Sequence, residues 1–218
     1  MGENKSINGK MEEYHIKIWN ASDDEIISAR IAPFGFTAEK MTALKTLYNE
    51  TAALVEMQKK EKAEWRVAGE NFNQALNTAK KEFNAIRNRL KFFYPANHPV
   101  AESLELYRDN FSRYADFLAG AKFFYAKLAE TAETLEKMAP FGTTAETVTA
   151  LAGEIDNLDQ LKEIRERESG DAQYATKERN TKLDELDEAC NELTRLAKLI
   201  FEDDEAQYLE KLGILARS

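Results

Sequence analysis

The sequence predicts an all-α protein, an elongated antiparallel helical bundle built by internal duplication, and three observations carry that reading. Punctuation is sparse: 218 residues include nine Gly and four Pro, while 32 % are charged and 43 % hydrophobic. That is the composition of long helices. Apolar residues recur at alternating three- and four-residue spacings over long stretches, as in the seam of left-handed helix packing. One segment also occurs twice. Ala32-Pro33-Phe34-Gly35-Phe36-Thr37-Ala38-Glu39 returns as Ala139-Pro140-Phe141-Gly142-Thr143-Thr144-Ala145-Glu146, and ten of the thirteen positions from Ala32 to Leu44 match at an offset of 107. Identity thins beyond this, but Leu54/Leu161, Ala68/Ala175, Leu76/Leu183 and Asn84/Asn191 keep the register.

The repeated segment reads as a helix–corner–helix joint. Pro pushes its predecessor out of the α region and ends a helix. Gly35 and Gly142 supply a position where positive φ is cheap. Thr37 and Thr144 can accept from the first free N–H groups of the next helix, and Glu39 and Glu146 suit the positive end of its dipole. Thr143 and Glu146 also have capping-box spacing. Phe34 and Phe141 are expected to plug the apolar end of the bundle.

Taken in order, residues 1–10 read as a disordered N-terminus, 11–94 as a first helical repeat and 95–218 as a second, forming one continuous bundle. Tyr14, Ile16, Ile18 and Trp19 alternate with polar residues, so a short strand and an irregular helix entry both fit. Ser22-Asp23-Asp24-Glu25 is a capping box opening a short helix that ends near Ile31. From Ala38 to Tyr94 a heptad register runs through Met41, Leu44, Tyr48, Val55, Trp65, Phe72, Phe83 and Leu90, with a polar middle at Gln58 and Lys62. Val100 to Met138 gives the cleanest pattern, eleven successive seam positions from Val100 to Leu135, and predicts one central buried helix. The second copy repeats the first arm, and Ser169-Gly170-Asp171 reads as a helix stop followed by a new cap. Three long helices and a short N-terminal one follow if each copy is unbroken, the helix of each copy then being about 85 Å long. Five or six helices follow if each copy hairpins at its polar middle.

The formal charge of −9 repels phosphate backbones and anionic lipid, so neither nucleic-acid nor membrane binding is expected as the main task. No stretch approaches the roughly 18 apolar residues of a membrane span. Met1-Gly2-Glu3-Asn4-Lys5-Ser6 matches the permissive acylation pattern but is read as an ordinary polar terminus. A single cysteine, Cys190, excludes an intramolecular disulfide, and a cytoplasmic location is expected.

Few residues suggest chemistry. Glu12 and His15 have the Glu-x-x-His spacing of di-iron bundles, but such sites need two motifs and further carboxylates. The other histidine, His98, sits in a Pro-bounded corner with Glu102 four residues on. Cys190 falls on a seam position and is expected to be buried and inert. Lys-Phe-Phe-Tyr occurs at 91–94 and 122–125, where Phe92 and Phe123 point partly away from the seam and could form an apolar patch for a partner. Glu202-Asp203-Asp204-Glu205 reads as a solvated acidic turn, and Tyr208 to Leu215 as an apolar tail folding back on the bundle. No catalytic, cofactor-binding or metal-ligating residue is nominated, and no cofactor. The expectation is a non-enzymatic interaction or scaffold protein that associates with a protein partner or with itself. The alternative is a small-molecule or metal-binding bundle in which Glu12, His15 or His98 converge on a cavity.

Overall fold

A computed structural model describes residues 6–108, 111–201 and 205–214. Among them the chain forms eight α-helices and no strand: α1 (Ile7–Asp23), α2 (Glu25–Ile31), α3 (Ala38–Phe93), α4 (Pro99–Ser103), α5 (Tyr114–Ala129), α6 (Ala132–Met138), α7 (Ala145–Ile200) and α8 (Ala206–Lys211). The all-α bundle is what the sequence calls for. The acylation pattern at residues 1–6, the acidic run at 202–205 and the apolar tail lie wholly or partly outside the described residues. Helix begins at Ile7 rather than after Lys10, because Ser6 caps it by accepting from the Gly9 N–H at 3.2 Å.

Both occurrences of the Ala-Pro-Phe-Gly joint fold alike. Ala32–Phe34 and Ala139–Phe141 are single 3-10 turns, each closed by a glycine at positive φ, 94° at Gly35 and 76° at Gly142. The Thr37 and Thr144 hydroxyls then accept from the N–H groups of Lys40 and Thr147. Hydrogen bonds to the same two threonines hold the Glu39 and Glu146 carboxyls below their usual range. The cap is therefore Thr144 and not Thr143, whose side chain is buried. Phe34 and Phe141 do not plug the bundle; they are 58 % and 50 % exposed. Phe36 is the ring that goes inside, and its counterpart is the much smaller Thr143.

Each joint launches a helix of 56 residues, α3 and α7, and neither hairpins. Gly170 sits inside α7, so the expected stop at Ser169-Gly170-Asp171 does not occur; a lone glycine without a proline costs a helix only about 1 kcal/mol. The polar middle marks something else. The chain divides into two compact units, residues 1–62 with 170–218 and residues 63–169, and the polar stretches of both long helices fall at that division.

Unit 1 holds α1, α2, α8, the start of α3 and the end of α7. Here the two long helices run antiparallel, since Lys40 pairs with Glu192, Thr51 donates to the Lys182 carbonyl and Arg179 donates to Gln58. Met11, Tyr14, Ile18 and Ala21 form the buried stripe of α1 at helical spacing, which decides its class; Ile16 faces out. They pack with Ile27, Ile31, Phe36, Leu186, Cys190 and Leu193. The short helix after residue 22 forms, but Asp24 is its cap, accepting from Ile26 and Ile27 N–H at 3.0 and 3.1 Å. The Lys211 ammonium, 2.6 Å from Asp24, ties α8 to that cap.

Unit 2 holds the rest of α3 and α7 with α4, α5 and α6. Its core centres on Phe83, which makes edge-to-face contacts with Phe111, Phe117, Phe124 and Tyr125 at centroid distances of 5.2 to 6.2 Å. Each such pair contributes about 0.5–1.5 kcal/mol beyond area burial. The single helix expected from Val100 to Met138 is three, α4, α5 and α6. Residues 104–107 turn, with Glu105 at a φ of 47°. The buried Arg87 guanidinium holds that turn by donating to the carbonyls of Glu105, Leu106 and Arg108. A second break follows Ala129, where the Thr131 hydroxyl donates to the Lys127 and Leu128 carbonyls and ends α5. Apolar phase survives both interruptions, which is why periodicity alone misses them.

Candidate functional site

Two features stand out, one in each unit. In unit 1 the spacing of Glu12 and His15 on α1 puts both on one face, and that face meets α3. Asn8, Met11, Glu12 and His15 line one side of an open cleft of about 420 Å³, and Tyr48, Ala52, Val55 and Glu56 line the other. Met11 and Val55 are buried and form an apolar floor, while Glu12, His15 and Glu56 are exposed. The His15 ring stacks on Trp19 at 4.2 Å between centroids, and Tyr48 stands edge-on to both, at 5.5 and 5.1 Å. The Lys45 ammonium lies 5.4 Å from the Trp19 ring and pairs with Asp23 at 2.8 Å. The aromatic wall is therefore fixed by contacts independent of any occupant.

Of the residues weighed in the alternative, small-molecule or metal-binding reading, Glu12 and His15 come together here. His98 is in unit 2, where its Nδ1 accepts from the Val100 N–H at 3.1 Å and caps α4, with the ring against Tyr94; Glu102 lies in the first turn of the same short helix. Cys190 is a buried thiol on the seam, as its position implies, and burial pushes its pKa up to about 12. Its neighbourhood is polar nonetheless. Tyr14 donates to Asp187 at 2.5 Å, with burial and that carboxylate raising the phenol pKa. Burial lowers the Lys17 pKa, and the carboxylates of Glu13 and Asp187 act in the opposite direction. A thiol held far above neutral pH by desolvation is a poor nucleophile, so these groups read as structural.

Unit 2 presents an aromatic ledge at the end of α3. Phe92 is 84 % exposed. It meets Phe93 edge-on at 5.3 Å, and Phe93 meets the half-exposed Phe141 of the joint at 5.9 Å. Beside the joint a recess of about 250 Å³ is lined by Ile86, Arg89, Thr143 and Leu151, among others. It opens where the second joint has Thr143 in place of a ring like Phe36. Phe123, the other ring read as outward-facing, is 41 % exposed on α5.

Sequence reasoning reached Phe92, Phe123, Glu12 and His15. It missed Tyr48 and Glu56 as cleft residues, because their seam and polar positions on α3 say nothing about which face of α1 they meet. No protein-family model, curated protein or solved structure matches the chain. Among the described residues, no helix is long and apolar enough to cross a membrane.

Proposed function

We propose that this protein works by association, as a non-enzymatic helical-bundle scaffold that binds a protein partner or a second copy of itself. The observation that carries the reading is the ledge of Phe92, Phe93 and Phe141. Large rings left in water cost free energy that a contact surface recovers, and aromatic anchors dominate protein interfaces. The like-folded joints and the equal lengths of α3 and α7 support an origin by duplication, and the ledge and its neighbouring recess form where the end of α3 from the first copy meets the joint of the second. A cytoplasmic setting fits the lone thiol. The test is light scattering on the intact chain across a range of concentrations, with a parallel pull-down, for the wild type and Phe92→Ser. Association that weakens in the variant supports the reading. A strict monomer that retains no partner in a Phe92-dependent way overturns it.

A second reading, small-molecule binding, is favoured by the unit 1 cleft, whose aromatic wall is already in place and whose volume lies in the range of ligand pockets.

A further inference from the structure

We infer that the unit 1 cleft is a binding site for an organic cation with an apolar body, an arylalkyl- or alkylammonium ion. The inference rests on the small-molecule reading of that cleft and adds the chemical class of its ligand. The floor of Met11 and Val55 suits an apolar body, and the rings of His15 and Tyr48 flank it from the two sides. The charged groups lining the cleft are both carboxylates, Glu12 and Glu56, with no lysine or arginine on its walls. Glu56 pairs with Lys59 at 2.7 Å, whereas Glu12 makes no ion pair among the described residues. The nearby Lys45 is committed to Asp23 and the Trp19 ring. An anion entering the cleft meets two like charges; a neutral body gains the floor alone. A cation gains the floor and the attraction of the Glu12 and Glu56 charges. Because both carboxylates are exposed, their attraction is screened and modest, and salt weakens it.

The test is an NMR titration of the ¹⁵N-labelled full chain with three probes of one shape: 3-phenylpropylamine, charged at neutral pH, 3-phenylpropanol and 3-phenylpropionate. The amine is expected to shift resonances of residues 8–15 and 48–56, saturating near about 10 mM as suits a ligand of this size, and more weakly in high salt. The alcohol should bind several-fold more weakly and the acid not at all. Glu12→Gln, at an exposed position, should keep the thermal midpoint and weaken the amine about two- to fivefold, and Lys59→Gln, which releases Glu56, should tighten it about twofold. An alcohol or acid that binds the cleft as well as the amine, or a Glu12→Gln variant that binds the amine unchanged, overturns the cation assignment and leaves the small-molecule reading standing. Absence of cleft shifts with all three probes overturns both.

Discussion

Phe111 lies so close to Gly120 that a β-carbon built on the glycine would overlap Cε1 of the ring. The ring is held from its other sides, edge-on to Phe83 at 5.2 Å and beneath the Arg87 guanidinium at 4.8 Å. Gly120→Ala should therefore destabilise the protein by about 1–3 kcal/mol, the cost of overpacking, despite alanine's better helix propensity. Gly69 and Gly153 have open space around the same position, and alanine there should stabilise by up to about 1 kcal/mol. Urea unfolding of the three variants checks the contrast; an equal gain at all three positions contradicts the packing argument.

The Tyr125 hydroxyl is buried in unit 2 without a hydrogen-bond partner among the described residues. Burial raises its pKa, and the charges of Glu82 and Glu154 add to the rise. Removing an orphaned polar atom while keeping its ring returns the desolvation penalty. Tyr125→Phe should raise stability by about 1 kcal/mol, read as a higher urea midpoint at unchanged slope. A loss of stability would show that the hydroxyl has a partner.

Cys190 and Tyr114 predict an alkaline limb in the stability curve. Burial lifts both to about 12, Tyr114 with help from its hydrogen bond to Asp159, against unfolded values of about 8.5 and 10. As pH rises the unfolded chain loses these protons first, so it binds fewer than the native state and stability falls. The contribution is complete below about pH 8.5 and disappears as pH approaches about 12. Chemical denaturation across that window should show the midpoint falling, and Cys190→Ala should delay the fall. The native thiol should resist aromatic disulfide reagents at pH 8 and react once the chain is unfolded.

Asp24 predicts the acid limb. The Lys211 ammonium, then the Ile27 N–H, holds its carboxyl below the usual range. Its stabilisation is present above the unfolded pKa of about 4 and is lost as pH falls through the lower folded value. Asp24→Ala removes both cap and ion pair and should cost about 1 kcal/mol. Asp24→Asn keeps a capping oxygen and should cost less, with a weaker dependence on salt. Thermal midpoints of the two variants at low and high ionic strength separate the contributions.

Much of the fold was legible because helical proteins advertise themselves in period and punctuation. Proline, glycine and threonine at fixed offsets specified both joints down to the sign of φ. The breaks in the span from Val100 to Met138 were hidden because a tight turn can replace a helical turn without disturbing apolar phase. The agent that enforces the first break, Arg87, is on another helix. The polar middle was visible, but its meaning was ambiguous: it marks where one core ends and the other begins, not a chain reversal. The candidate cleft was half legible. Glu12 and His15 announced a shared face, while Tyr48 and Glu56 reach it only through tertiary packing, which one helix's pattern does not encode.

The division of the chain also sets an order of assembly. Unit 2 is one contiguous stretch, residues 63–169, whereas unit 1 joins the first 62 residues to those after 169. During synthesis, the apolar faces of Ile18, Ile31 and Phe36 emerge well before their partners Leu186, Cys190 and Leu193. At typical elongation rates that interval is on the order of 10 s. The faces of Ile18, Ile31 and Phe36 thus wait until all of unit 2 has been made before they are sheltered, and in that interval they are exposed to chaperones and to misassociation.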